Sequence, residues 1–126
     1  MSQISTPIAR FDLVVIDTPE PLRLAEFYCA LLGWRIAREE DDWVTIRGGS
    51  SDYGMGFQLA PDLVPPTWPD PAVPQQSHLD VTVDDLDEGE GKVLAIGARP
   101  TGVSGLGFRA YLDPSGHPFC LCLAGA

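Results

Sequence analysis

The order of elements in this chain repeats: one pattern runs to a proline-rich break, and the same pattern then starts again. Residues 11–17 (FDLVVID) are β-branched and apolar and read as a strand. Thr18 is a plausible cap, and Leu24, Phe27, Tyr28, Leu31 and Leu32 then recur at i, i+3, i+4, i+7 and i+8, which predicts a helix with one apolar stripe. Gly33 stands where a left-handed C-terminal residue is wanted. WRIAREE, WVTIR and MGFQLA supply three strands, with turns at Asp41–Asp42 and in GGSSDYG.

Residues 61–76 hold six of the twelve prolines, which suits neither a central strand nor a helix, so the segment reads as a linker. A structureless stretch of that length inside a small domain is uncommon and often functional. Beyond it, HLDVTV alternates, with His78, Asp80 and Thr82 on one face and Leu79, Val81 and Val83 on the other. Asp84 and Asp85 can cap a helix carrying Leu86, Val93, Leu94 and Ile96, which Gly89 and Gly91 weaken and Gly97 ends. A short strand near residues 99–101, a glycine-rich turn, and strands at 108–112 and 119–123 around a DPSG turn complete the second half.

Corresponding points keep a near-constant spacing. Gly33 and Gly97 lie 64 residues apart, Leu13 and His78 65, and Gln58 and Cys120 62. Shared order at a shared offset indicates an internal duplication. The expectation is an α+β fold of two tandem βαβββ modules in one domain over 1–126, with module one at about 8–60 and module two at about 77–124.

Charge narrows the partners. Eighteen acidic residues against eight basic ones give a net charge of −10, which repels phosphate backbones and anionic lipid, so neither nucleic acid nor a membrane surface is an expected partner. No apolar run is long enough to span a bilayer. The opening MSQISTPIARFDLVV lacks a basic segment followed by an apolar one, so no signal peptide is expected and the chain reads as cytoplasmic. Three cysteines, an odd number, fit free thiols in a reducing compartment.

The segments AEFYCALLGW, VPPTWPDP, QQSHLDVTVDDLD, IGARP and YLDPSGHPFCL, in that order, resemble a glyoxalase-like branch of the vicinal-oxygen-chelate superfamily, which includes glyoxalase I and bleomycin-resistance proteins. The resemblance runs from Phe11 to Leu123. It implies paired βαβββ modules whose curved sheets enclose a cavity, and a homodimer. It also implies that four strand positions face that cavity; in the metal-using enzymes these hold one divalent ion. Carried over, they fall on Leu13, Gln58, His78 and Cys120.

That set is chemically mixed. Leu13 cannot coordinate, whereas Gln58, His78 and Cys120 offer an amide oxygen, an imidazole nitrogen and a thiol. Imidazole with thiolate suits Zn²⁺ better than a hard ion, with Ni, Mn or Fe the other divalent candidates. The expected ligand-lining residues are therefore Leu13, Gln58, Trp68, His78, Asp80 and Cys120, with Gln58, His78 and Cys120 as the metal candidates.

Each has a plainer reading. His78 could be a hydrogen-bonded core residue, although three polar groups in a row are costly against a dry core. Cys120 and Cys122 read as packing residues, because no basic neighbour would lower their pKa. Trp34 and Trp43 read as core or edge packing; Trp68, among prolines, either plugs its own core or caps a pocket or dimer contact. Arg109 faces a ligand carboxylate or a surface acid, and His117 belongs to a turn.

Two functions remain. One is a small-molecule binder without a tightly held metal and with no resident cofactor. The other is a divalent-metal-dependent lyase or isomerase of glyoxalase type acting on vicinal oxygens, with Asp80 as its possible base.

Overall fold

The computed structural model describes residues 7–49 and 53–124. Its first half runs β1 (Leu13–Thr18), α1 (Pro21–Leu32), β2 (Arg35–Glu40), β3 (Trp43–Arg47) and β4 (Gly54–Leu59). The second runs β5 (Leu79–Val83), α2 (Leu86–Ala95), β6 (Arg99–Gly105), β7 (Phe108–Leu112) and β8 (Pro118–Leu123). The sheet orders are β1-β4-β3-β2 and β5-β8-β7-β6, with the first pair of each parallel and the others antiparallel. The two halves are therefore βαβββ modules with the same topology, as the repeat requires.

Alternation sets the faces. Val44, Ile46, Met55 and Phe57 turn inward under α1, whose buried side carries Leu24, Ala25, Phe27 and Tyr28. Tyr111, Phe119 and Leu121 do the same in sheet two, and all of them join one apolar cluster. Residues 61–76 contain no helix or strand, as the prolines dictate.

Local details differ from the sequence reading. Thr18 does not cap α1. The N-cap is Glu20, followed by Pro21 at the start of the helix, and Thr18 Oγ1 accepts instead from the Glu20 amide at 3.0 Å. Asp85 caps α2 through the Glu88 amide at 2.8 Å. Strand β6 extends through the expected turn to Gly105, with a register shift between Pro100 and Ser104. Part of the GGSSDYG turn lies outside the described residues.

The modules are locked by a polar latch inside the apolar seam. Tyr28 of α1 donates to Asp113 Oδ2 at 2.6 Å, and the Ser115 and His117 amides donate to Asp113 Oδ1 at 2.9 and 3.0 Å. Thr18 meets Ser115 at 2.8 Å, and His117 Nε2 donates to the Asp17 carbonyl at 2.7 Å. Phe27 meets Phe119 with ring centres 5.8 Å apart. Burial raises the pKa of Asp113, opposed by these donors, and raises that of Tyr28 further.

Two consequences are measurable. Tyr28→Phe leaves a buried carboxyl short of a donor and should lower stability by about 1–3 kcal/mol in chemical denaturation; an unchanged midpoint would show that the latch does not hold the seam. In α2, a methyl at Gly89 would lie 3.1–3.2 Å from Val83 and Leu121, whereas one at Gly91 meets open space. Gly91→Ala should therefore stabilise by up to about 1 kcal/mol, and Gly89→Ala should not.

Candidate functional site

Strand β5 turns Leu79, Val81 and Val83 toward the core and leaves Asp80 and Thr82 on the face without a helix, just after His78. The β5–β8 ladder sets Asp80 opposite Cys120 and Thr82 opposite Cys122. His78 Nε2 lies 3.1 Å from Asp80 Oδ1. One donor atom from each of His78, Asp80 and Cys120 falls within 4.8 Å of the other two.

These three groups stand at a cavity of about 350 Å³ whose remaining walls are Trp68, Val103, Leu106, Phe108 and Cys122. The linker thus delivers Trp68, partly buried, to the cavity wall. Leu106, at the tip of the β6–β7 hairpin, is 100% exposed at its lip.

The electrostatics make the thiols poor nucleophiles. Burial, and then the nearby Asp80 carboxylate, push the Cys120 thiol up to about 11, and the same causes raise Cys122. Both are protonated at neutral pH, so a metal would have to displace the Cys120 proton in order to bind.

Leu13 and Gln58 do not line this cavity. Both sit on the helix-free face of sheet one, Leu13 opposite Gly54 and Gln58 opposite Asp17 and Trp43. The ladders also realign the repeat. With Phe57 of β4 matched to Phe119 of β8, their parallel partners Ile16 and Leu79 correspond, so His78 corresponds to Val15 and Asp80 to Asp17. The sequence offset that paired Leu13 with His78 is two residues out, because β1 offers several apolar positions and only its pairing with β4 chooses among them. Val15 cannot coordinate either.

The donor set that the fold assembles is thus His78, Asp80 and Cys120, with Asp80 in the role expected of Gln58. One nitrogen, one carboxylate oxygen and one sulfur fit zinc better than Mg²⁺ or Mn²⁺. Arg109 pairs with Asp87 at 2.8 Å and Glu90 at 3.7 Å on the surface of module two, which resolves it as a partner of surface acids. His117 is more than a turn residue, since its side chain ties module two to the β1 backbone.

The sequence reading also missed two features. A second cavity of about 380 Å³ lies at the seam beneath the linker, between β1, Tyr28, Leu63, Pro66 and His117, and His78 touches both cavities. Trp43 is not a core residue. Its partners Gln58 and Glu40 place it on the helix-free face, as strict alternation with Val44 and Ile46 would have shown.

No protein of curated function matches the sequence. Solved structures share the fold. A glyoxalase/bleomycin resistance protein/dioxygenase family enzyme from Burkholderia phytofirmans PsJN is 18% identical with a TM-score of 0.64, covering 87% of this chain and 94% of that one. A bleomycin resistance determinant encoded on transposon Tn5 is 18% identical with a TM-score of 0.59, covering 94% and 100%. The fosfomycin resistance protein FosX from Mesorhizobium loti is 14% identical with a TM-score of 0.68, covering 92% of each. The sequence pattern of the glyoxalase-like domain matches residues 13–122, and the chain belongs to that family, within the vicinal-oxygen-chelate superfamily.

Proposed function

We propose that this protein binds a small molecule in the cavity on the helix-free face of sheet two. The observation that carries the reading is the pairing of apolar walls, Trp68, Val103, Leu106 and Phe108, with three polar groups converging at one place. Such a site takes a ligand with an apolar body and one polar end. His78 and Asp80 orient the polar end by hydrogen bonds, and the protonated thiols of Cys120 and Cys122 line the wall as small, weakly polar groups.

A second copy of the chain closes the cavity. Each sheet has one bare face, and Leu106, fully exposed at the lip, gains by being covered. The bare face of sheet one, which carries Gln58, Val15 and Leu13, is the surface a homodimer would bring opposite His78. Cys29, Cys120 and Cys122 are all free, in keeping with work in a reducing, cytoplasmic setting. No helix among the described residues is long and apolar enough to cross a membrane.

A divalent-metal lyase or isomerase is the second reading, favoured by the His78, Asp80 and Cys120 donor set. A zinc ion held there would supply Lewis acidity toward substrate oxygens. Among the described residues, however, Asp80 is the one carboxylate on the cavity wall. If it binds the ion, it is not available to move a proton, and this argues for the binder. Proteins of the same fold include a bleomycin resistance determinant and a fosfomycin resistance protein.

Three measurements test the choice. Fluorescence titration with 8-anilinonaphthalene-1-sulfonate should show saturable binding that Trp68→Ala weakens by about tenfold or more, with an unchanged circular dichroism spectrum. An unchanged titration would remove Trp68 from the site. Elemental analysis of purified protein should show no stoichiometric ion; one equivalent of Zn, Ni, Mn or Fe that His78→Ala loses would establish the metal reading. Added zinc should bind more tightly as pH rises from 7 to 9, by about tenfold per unit, because binding releases the Cys120 proton. Affinity independent of pH would show that the thiol is no ligand.

A further inference from the structure

The helix-free face of sheet one presents an aromatic plate. Trp43 Nε1 donates to Thr45 Oγ1 at 2.7 Å, which satisfies the polar edge of the indole. Its six-membered ring lies on Gly56, where even a methyl group would stand 2.6 Å from the ring. The indole is therefore packed on the sheet at Gly56, and the half-buried side chain leaves the rest of the ring open to a stacking partner.

Arginines outnumber the acids, Asp17 and Glu40, on the strands of the same face. In a chain of net charge −10, three of the seven arginines, Arg35, Arg38 and Arg47, project from it, as their pairing with Thr45 and with each other requires. Arg38 pairs with Glu40, and Arg47 with Asp12 at 3.0 Å. Arg35 stands directly across from Arg47 and has no ion-pair partner among the described residues. Like charges set opposite each other on adjacent strands repel; Asp12 offsets part of this at Arg47, and an anion at Arg35 would offset more. The Trp43 ring reaches Gly56, which is opposite Thr45, and Thr45 lies two residues, about 7 Å, from Arg47. An aromatic acid and an arginine side chain together bridge that span.

We propose that Trp43 is the specificity-determining residue of the ligand site: it stacks a planar aromatic ring whose anionic group meets Arg35 and Arg47. The assignment rests on the reading that sheet one of a second copy faces the His78 cavity, because Trp43 does not line that cavity within one chain. A neutral ring or an aliphatic anion satisfies only half of the site.

The test is calorimetric titration of the full chain with 2-naphthoate, octanoate and 2-naphthylmethanol. Naphthoate should bind about tenfold more tightly than either of the others. Trp43→Leu should weaken naphthoate by about tenfold while leaving octanoate within about twofold, and Trp43→Phe should retain most of the affinity. Arg35→Gln should weaken naphthoate and leave 2-naphthylmethanol unchanged. Equal binding of naphthoate and octanoate, no binding of naphthoate, or an indifferent Trp43→Leu variant would each overturn the proposal. The cavity reading is scored separately, by the effect of His78→Ala on anilinonaphthalene-sulfonate binding and by sedimentation. If the dye binds at His78 without naphthoate selectivity, this inference alone falls. If the chain sediments as a monomer and His78→Ala changes nothing, the cavity reading falls and takes this assignment with it.

Discussion

The structure depends on the buried contact between α1 and the DPSG turn of the other module. Tyr28 places its hydroxyl on Asp113, and the same carboxyl gathers the amides of Ser115 and His117. Two units that share little sequence are thereby held at one angle, with Phe27 and Phe119 filling the seam. A carboxyl this deep is tolerable only because its donors are in place. The helices and the latch lie on one side of the sheets, so the other sheet faces are left bare, and it is over those bare faces that a ligand is proposed to bind.

Local chemistry then determines what the bare faces offer. Strict alternation in β5 sends Asp80 one way and Val81 the other, and the parallel ladder to β8 brings Cys120 alongside. In sheet one the counterpart positions are Val15 and Asp17, so the two faces are not copies in chemistry although they are copies in topology. One face is a cavity with a nitrogen, a carboxylate and a thiol; the other is a tryptophan plate edged with arginines. Duplication followed by divergence of the outward residues explains the pair, because the inward residues are constrained by a common core.

Much of this was legible in the sequence. The 3.6 period from Leu24 to Leu32, the alternation after His78 and the proline cluster each act locally, so element types and the repeat could be read directly. The grouping of His78, Asp80 and Cys120 was partly legible, since the strand faces were right and the resemblance placed β5 near β8. What could not be read was register. Whether Leu13 or Val15 matches His78 depends on hydrogen bonds between residues some 40 positions apart, and no local pattern in LVVI distinguishes them. The seam cavity and the role of His117 are likewise tertiary, arising only once the modules dock.

The central claim, that ligands enter the cavity on sheet two, can be tested at the two histidines, because the chain has no others. His78 lines that cavity and touches the seam cavity as well, whereas His117 lines only the seam cavity, held on the Asp17 carbonyl. Imidazole resonances followed by NMR during a titration with anilinonaphthalene-sulfonate separate the two places. The account predicts that the His78 signals move and saturate while those of His117 stay within about the spread of untouched residues. Movement of His117, with or without His78, would put the ligand in the seam instead, and would contradict the account.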